Sequence, residues 1–410
     1  MKRSHCEALD QADPLRAMRE RFSIREKLIY LDGNSLGALP KAVARRVNDT
    51  IARQWGETLI GSWNEHGWFE LPRKVGDRIA RLIGAPNGSV VACDTISINL
   101  FKLLGAAVKL RPNRKIILSD SGNFPSDLYV AQGLRDFLDA GHELRIVEPD
   151  EVMGAIDERV AVVMLTEVDY RSGRLHHMKA ITAAAHAAGA LTIWDLAHSA
   201  GALPVDLSGS DADMALGCTY KYLNGGPGAP AFLYVRPDLQ DKIVPPLAGW
   251  WGHAAPFAFD LDYRPAPGIL RNQCGTQPIL AMAALDAALD LWDDMDMNQV
   301  RAKSMALGKL FIDLAEARCG RHGVRLYGPR NMTERGSHVA LHCAEGYAVM
   351  QALIAHGVIG DFRSPDLIRF GLAPLYIGYS EVWDAVEILA RILDEKLWDT
   401  PQFRVRKAVT

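Results

Sequence analysis

From about residue 85 to residue 235 the hydrophobic positions fall into two alternating textures. Short apolar runs at 115–118, 144–147, 160–165, 191–194 and 214–216 alternate with segments of helical apolar spacing at 99–108, 127–139 and 179–188. Continuous apolar runs of this length suit strands covered on both faces. Helical segments of ten to fifteen residues suit the crossovers between parallel strands, so the pattern predicts βαβ units around a buried parallel sheet. Segment 231–235, after the Gly-Gly-Pro-Gly turn at 225–228, adds a hairpin-like or antiparallel member. Upstream, 28–32 reads as a short strand ending in the turn-rich Gly33-Asn34-Ser35-Leu36-Gly37. Pro40 then opens a helix to about residue 55, at a first-turn position where its missing N–H costs nothing. Beyond about residue 276 the texture changes. One long helix is expected over 278–319, followed by strand-like runs at 324–327, 338–342 and 367–370 and helices near 347–356 and 380–397. That is a smaller α+β unit. With no long linker or repeat, the expected division is an arm at 1–45 packed on the small domain, a large domain at 46–277 and the small domain at 278–410.

Composition narrows the class without choosing a chemistry. The 410 residues carry 46 Lys+Arg against 49 Asp+Glu, a net charge of −3, with 49% hydrophobic residues. This excludes a disordered chain and a basic nucleic-acid binder. Six cysteines, at 6, 93, 218, 274, 319 and 343, form no C-x-x-C pair, so neither a disulfide framework nor a zinc knuckle is expected. No apolar run approaches the roughly 18 residues of a membrane span, and the first 22 residues hold no apolar signal core. The expectation is a soluble cytoplasmic enzyme.

In parallel α/β sheets ligands bind at the carboxyl ends of strands. Asp195 closes the 191–194 run and His198 follows it. Alone, such an aspartate is more often a turn or helix cap, and such a histidine a structural hydrogen-bonder. Lys221 follows the next strand beside a glycine-rich turn, a setting that suits a Schiff-base nucleophile, although most loop lysines are merely exposed. Together the two residues could face opposite ends of one planar cofactor. That is the layout pyridoxal phosphate requires: a carboxylate for the pyridine nitrogen and a lysine for the aldehyde. Thr95-Ile96-Ser97 at the start of a helix offers hydroxyls and N–H groups to a phosphate, or a plain N-cap. Phe124, in Asn123-Phe-Pro-Ser-Asp127, offers an aromatic face, though an isolated Phe is usually core. No dinucleotide or Walker fingerprint occurs. His338 and His342 share a strand face without an acidic third ligand, so no metal site is expected. Arg404, Arg406 and Lys407 read as a solvated basic tail.

These stretches resemble the kynureninase family. The resemblance rests on Tyr30-Leu-Asp-Gly-Asn-Ser-Leu-Gly37, Asn123–Asp127, Trp194-Asp-Leu-Ala-His-Ser-Ala-Gly201 and Thr219-Tyr-Lys-Tyr-Leu-Asn-Gly-Gly-Pro-Gly228. Gly249-Trp-Trp-Gly-His253 and Ile359-Gly-Asp-Phe-Arg-Ser-Pro365 complete it, in family order. It implies a type I pyridoxal-phosphate-dependent transferase-like α/β fold. A large domain would hold a mostly parallel seven-stranded sheet between helices, beside a smaller α+β domain. It further implies hydrolysis of L-kynurenine or 3-hydroxy-L-kynurenine to anthranilate or 3-hydroxyanthranilate and L-alanine, within tryptophan catabolism and toward NAD biosynthesis.

By the same resemblance, pyridoxal 5'-phosphate is covalently held by Lys221, Asp195 pairs with its pyridinium, and Tyr220 near the phosphate carries a proton. Ile96 (through its N–H), Ser97, Phe124, Pro125, Ser126, Asp127 and His198 complete the cofactor site. Trp250 and Thr276 reach it from the second subunit of a homodimer. Arg369 grips the substrate α-carboxylate. The chain departs from the commonest pattern where Ile96 removes a middle hydroxyl and where Ser126 replaces a frequent Thr. Trp63, His66, Trp68 and Trp251 are candidates for the aromatic-ring pocket. A cysteine desulfurase-like lyase is the alternative, which needs a reactive thiol that neither Cys274 nor Cys343 convincingly offers. A cofactor-free scaffold would not need both Lys221 and Asp195.

Overall fold

The computed structural model describes residues 2–407, so the outermost residues of the expected arm and small domain lie outside it. The chain opens with a helix, Arg3–Ala12, and a two-residue strand, β1 (Ile29–Tyr30), whose partner comes much later. After a short strand that the pattern did not predict, β2 (Val90–Ala92), the predicted apolar runs become β3 (Ile116–Asp120), β4 (Glu143–Val147), β5 (Val160–Thr166), β6 (Leu191–Asp195), β7 (Met214–Gly217) and β8 (Phe232–Val235). They form one seven-stranded sheet in the order β2-β8-β7-β6-β5-β3-β4. β8 alone runs against the direction shared by the other six strands. Every residue of β3, β5, β6 and β7 is buried, as strands covered by helices on both faces must be, whereas edge strand β4 is partly exposed. The carboxyl ends of β3, β5, β6 and β7 therefore feed their loops to one edge of the sheet.

The C-terminal region contains β9 (Arg325–Tyr327), β10 (His338–His342), β11 (Val358–Ile359), β12 (Asp361–Arg363) and β13 (Leu367–Gly371). Four of these form an antiparallel sheet, β12-β13-β10-β9, while β11 pairs in parallel with β1. Helices Met297–Cys319 and Tyr379–Asp394 lie in this region and pack on each other. The N-terminal arm is tied to it by charge. The Asp10 carboxylate accepts from the Tyr379 and Ser380 N–H groups at 2.6 and 3.0 Å, capping that helix, and Lys303 pairs with Asp13 at 2.6 Å.

The expected single helix over 278–319 is two, Ile279–Leu289 and Met297–Cys319. Trp292 is buried in the turn between them, and the Asp296 side chain accepts the Asn298 N–H at 2.9 Å, which starts the second helix afresh. The helix expected to run to residue 55 is regular over Lys41–Asp49 and continues as a wider π-turn, Thr50–Trp55, where the Thr50 hydroxyl bonds back to the Arg46 carbonyl. The pattern also left unread the Leu71–Leu82 helix and three very short strands, β2, β11 and β12.

Candidate active site

The loops at the carboxyl edge of the large sheet and the β12–β13 region of the small one enclose a cavity of about 470 Å³. Asp195 ends central strand β6, and its Oδ1 accepts the Ala197 N–H at 2.8 Å. Lys221 lies in the turn after neighbouring strand β7. That turn is held by Thr219, whose hydroxyl donates to the Pro230 carbonyl at 2.6 Å, and by Gly225 N–H on the Thr219 carbonyl. The Gly33–Gly37 turn packs directly on it: Gly37 N–H donates to the Tyr220 carbonyl at 2.7 Å, and a Cβ on Gly37 would come within 2.2 Å of the Lys221 carbonyl. Only glycine permits that approach, which accounts for this part of the motif.

Two helix starts form the far corner. Thr95 caps the Ile96–Leu110 helix through its hydroxyl, and helix geometry leaves the Ile96 and Ser97 N–H groups without partners inside the helix. Pro125 opens the second helix, Pro125–Leu138, and the Ser97 and Ser126 hydroxyls meet at 3.3 Å. The Asn123 side chain anchors the preceding loop on Ser119 at 3.0 Å, which leaves Phe124 about 40% exposed against the cavity. The Tyr170 ring packs edge-on to Phe124 with centroids 5.0 Å apart.

Electrostatics assign protonation states. Lys221 Nζ lies 3.2 Å from His198 Nε2. Burial, reinforced by the Lys221 charge, holds His198 well below the ordinary imidazole range, so the ring is neutral, with the same Nε2 also 3.3 Å from the Asn34 carbonyl. Asp127 and Asp195 are both buried side by side. Burial and the Asp195 charge push Asp127 well above the carboxylate range. Its Oδ2 has no partner, whereas Asp195 has the Ala197 N–H, so Asp127 holds the proton of the pair. Burial also raises the Tyr220 phenol, which stays protonated and able to donate. On the opposite wall Arg369 is buried, with its Nε 2.9 Å from Asp361 Oδ1.

Of the residues named from the sequence, Ile96, Ser97, Phe124, Ser126, Asp127, Asp195, His198, Tyr220, Lys221 and Arg369 line this cavity. Pro125 does not line it but starts the helix behind. Trp250 and Thr276 lie elsewhere in the same chain, in an apolar cleft with Ile60, Trp63 and Phe257. Trp63, Trp68 and Trp251 cluster with Phe69, also apart from the cavity. Among the lining residues given no site role from the sequence are the polar or thiol-bearing Asn34, Ser35, Thr166, Tyr170, Cys218 and Arg363. Thr166 ends β5, so the strand-end rule that selects Asp195 applies to it equally. Asn34, Ser35 and Arg363 stood inside quoted motifs without a role.

The donor set fits pyridoxal phosphate. An amine, a buried carboxyl pair with one orphaned oxygen, an exposed aromatic face and a helix N-terminus line one cavity, each matching one part of that cofactor. Fold and site together define a pyridoxal-phosphate-dependent enzyme of the type I α/β class.

The solved structures agree on the fold. The chain superposes on a cysteine desulfurase from Thermococcus onnurineus NA1 with a TM-score of 0.77 at 19% identity, covering 92% of this chain and 98% of that one. The Escherichia coli desulfurase CsdA gives 0.78 at 20% identity, covering 93% and 98%. Sequence comparison is more specific. The Kynureninase C-terminal domain model matches residues 300–389. The kynureninase of Pseudomonas fluorescens is 53% identical over 100% of this chain and 99% of its own length. That of Burkholderia pseudomallei K96243 is 52% identical over 98% of each. The chain belongs to the kynureninase family.

Proposed function

We propose that this enzyme hydrolyses the Cβ–Cγ bond of L-kynurenine, or of its 3-hydroxy form, to anthranilate or 3-hydroxyanthranilate and L-alanine. Hydrolysis adds water across that bond, the oxygen going to the aryl acid and a hydrogen to the β-carbon. When bound, pyridoxal phosphate supplies an electron sink conjugated to the substrate α-carbon. Lys221 would hold its aldehyde, and its amine is the base placed for the α-proton. Asp195, fixed by the Ala197 N–H, would keep a proton on the pyridine nitrogen, with Asp127 and His198 beside it. Phe124 would cover the ring face, and Ile96, Ser97 and Ser126 would hold the phosphate. Arg369 takes the α-carboxylate through its planar fork. Tyr220, a protonated phenol beside Lys221, delivers a proton during bond cleavage.

The observation that carries this reading is the convergence of Lys221, Asp195 and the Ile96 helix start on one cavity closed by Arg369. The domain reading is a large unit at 46–277 and a small one at 278–410 joined by the arm. It is supported by the β1–β11 pairing and the Asp10 cap. A homodimer with shared sites is supported by the exposed apolar cleft around Trp250 and Thr276, where Ile60 is 82% exposed. A cytoplasmic location accords with the absence, among the described residues, of a helix long and apolar enough to cross a membrane. The test is purified protein offered kynurenine, 3-hydroxykynurenine and cysteine. Anthranilate or its hydroxylated analogue should appear with alanine, and Lys221→Ala should abolish it. Product release by Lys221→Ala at the wild-type rate, or sulfide from cysteine instead, refutes the assignment.

A further inference from the structure

Two guanidinium groups meet a single well-bonded carboxylate on the small-domain wall of the cavity. Arg369 donates to Asp361 Oδ1 through Nε at 2.9 Å and to Oδ2 through Nη2. Arg363 donates to the same Oδ2 at 2.6 Å, as does the Ser35 hydroxyl at 2.8 Å. A second carboxyl, Asp32, stands beside this group, placed there by a parallel bridge between Asp32 and Gly371 at the end of β13. Asp361 takes all of these donors, and Asp32 Oδ1 is buried with no partner.

The charged and titratable groups facing Asp32 are Asp361, Arg363 and Arg369 from the small sheet and the phenols Tyr30, Tyr222 and Tyr376. Burial raises all three phenols, so none carries charge at neutral pH. A buried carboxylate with one oxygen unpartnered, next to an ionised one, favours its neutral form. Burial first and the Asp361 charge second raise Asp32 to about 7, against the pull of Ser35 and the two arginines. With Asp32 neutral, two guanidiniums and one carboxylate leave a single positive charge on this wall. With Asp32 ionised the wall is neutral.

We propose that Asp32, bridged to the end of β13 beside the Asp361–Arg363–Arg369 cluster, is a positioning residue of the α-carboxylate site that sets the charge of this wall when the substrate carboxylate binds. The inference rests on Arg369 being the arginine that binds the α-carboxylate. Its consequence is that substrate binding above neutral pH takes up a proton at Asp32, so affinity weakens with rising pH independently of the chemistry at Lys221.

The test uses holoenzyme and 3-benzoylpropanoate, which carries the carboxylate and aryl ketone without the amine and so binds without exchange at Lys221. Wild-type affinity should fall about ten-fold from pH 6 to pH 8, whereas Asp32→Asn should hold it nearly constant. Calorimetry at pH 8 in buffers of different ionisation enthalpy should record uptake of about one proton by the wild type. Should Asp32→Asn fail to fold, this measurement on the wild type decides alone. Parallel pH profiles for wild type and Asp32→Asn, or no proton uptake by the wild type, overturn the inference. Arg369→Lys separates it from the underlying reading: undiminished binding by that variant removes the carboxylate role of Arg369 itself. Weakened binding by Arg369→Lys together with parallel profiles removes only the role of Asp32.

Discussion

Lys102 lies two turns into the Ile96–Leu110 helix, wholly buried beneath the corner assigned to the cofactor phosphate. Its ammonium donates to Asp94 Oδ2 at 2.8 Å and to the Asn272 carbonyl at 2.5 Å, with Cys93 Sγ at 3.6 Å. It thereby ties the turn before Ile96, where Asp94 adopts a left-handed φ of 49°, to the segment that leads to Thr276. Lys102→Met keeps much of the volume and removes every one of these bonds. Breaking a buried pair by removing one partner costs about 3–5 kcal/mol. Here the Asp94 side chain is about 25% exposed and recovers some hydration, so the expected loss is about 2–4 kcal/mol. For a chain of 410 residues that lowers the melting temperature by roughly 2–5 °C. The assay is thermal and urea unfolding of wild type, Lys102→Met, Asp94→Asn and the double variant. Because the two side chains share one interaction, the double variant should be less damaged than the sum of the singles by at least about 1 kcal/mol. A Lys102→Met protein melting within a degree of wild type, or strictly additive losses, would refute the claim that this ion pair braces the phosphate corner.

Asp286, buried in the Ile279–Leu289 helix, receives Arg46 at 2.7 Å, Arg78 at 2.8 Å and Lys74 at 3.3 Å, clamping that helix to Lys41–Asp49 and Leu71–Leu82. Burial opposes its charge, but Lys74 and Arg78 hold its pKa below the ordinary range. Its contribution is therefore complete above the unfolded pKa near 4 and drains as pH falls through the lowered native value. With Arg46 and Lys74 largely exposed, Asp286→Asn should cost about 2 kcal/mol at pH 7 in urea titrations. That difference should be constant from pH 6 to 8 and shrink at strongly acidic pH; a difference growing toward acid would contradict the sign. If the proposed homodimer forms through this cleft, Trp250→Glu, which places charge in it, should give a sedimenting monomer without turnover while leaving the fold by circular dichroism unchanged. An active monomer would separate Trp250 from the site.

What the sequence made legible follows from how local each feature is. The Asp195 and Lys221 positions could be read because β6 and β7 are continuous apolar runs, and consecutive buried parallel strands end on the same edge. Thr166 was equally accessible by that rule. The Asp32–Asp361–Arg363–Arg369 cluster was not. It depends on a three-residue strand, β12, pairing antiparallel with β13, and on a single bridge from residue 32 to residue 371. No periodicity encodes contacts across more than three hundred residues. The break at 290–296 failed for the opposite reason: apolar spacing continued across it through Trp292 and Met295, and the decisive signal was one capping side chain, Asp296.

The likeness to cysteine desulfurases stops at the fold, and the thiols show why. A desulfurase-type step needs an accessible thiolate. Cys343 follows β10 in the core, and burial pushes its thiol up to about 11. Cys274 is half-buried with its Sγ 3.5 Å from the Leu247 carbonyl, and burial raises it too. Cys218 does line the cavity, yet it is 3% exposed, sits 3.8 Å from the Ala197 carbonyl and is likewise raised by burial. A neutral thiol against a carbonyl is a packing group. The ionisable groups that face the cavity include an amine, a carboxyl pair, an imidazole, two phenols and two guanidiniums. These move protons and hold carboxylates, as hydrolytic cleavage of a carbon–carbon bond beside an amino acid requires.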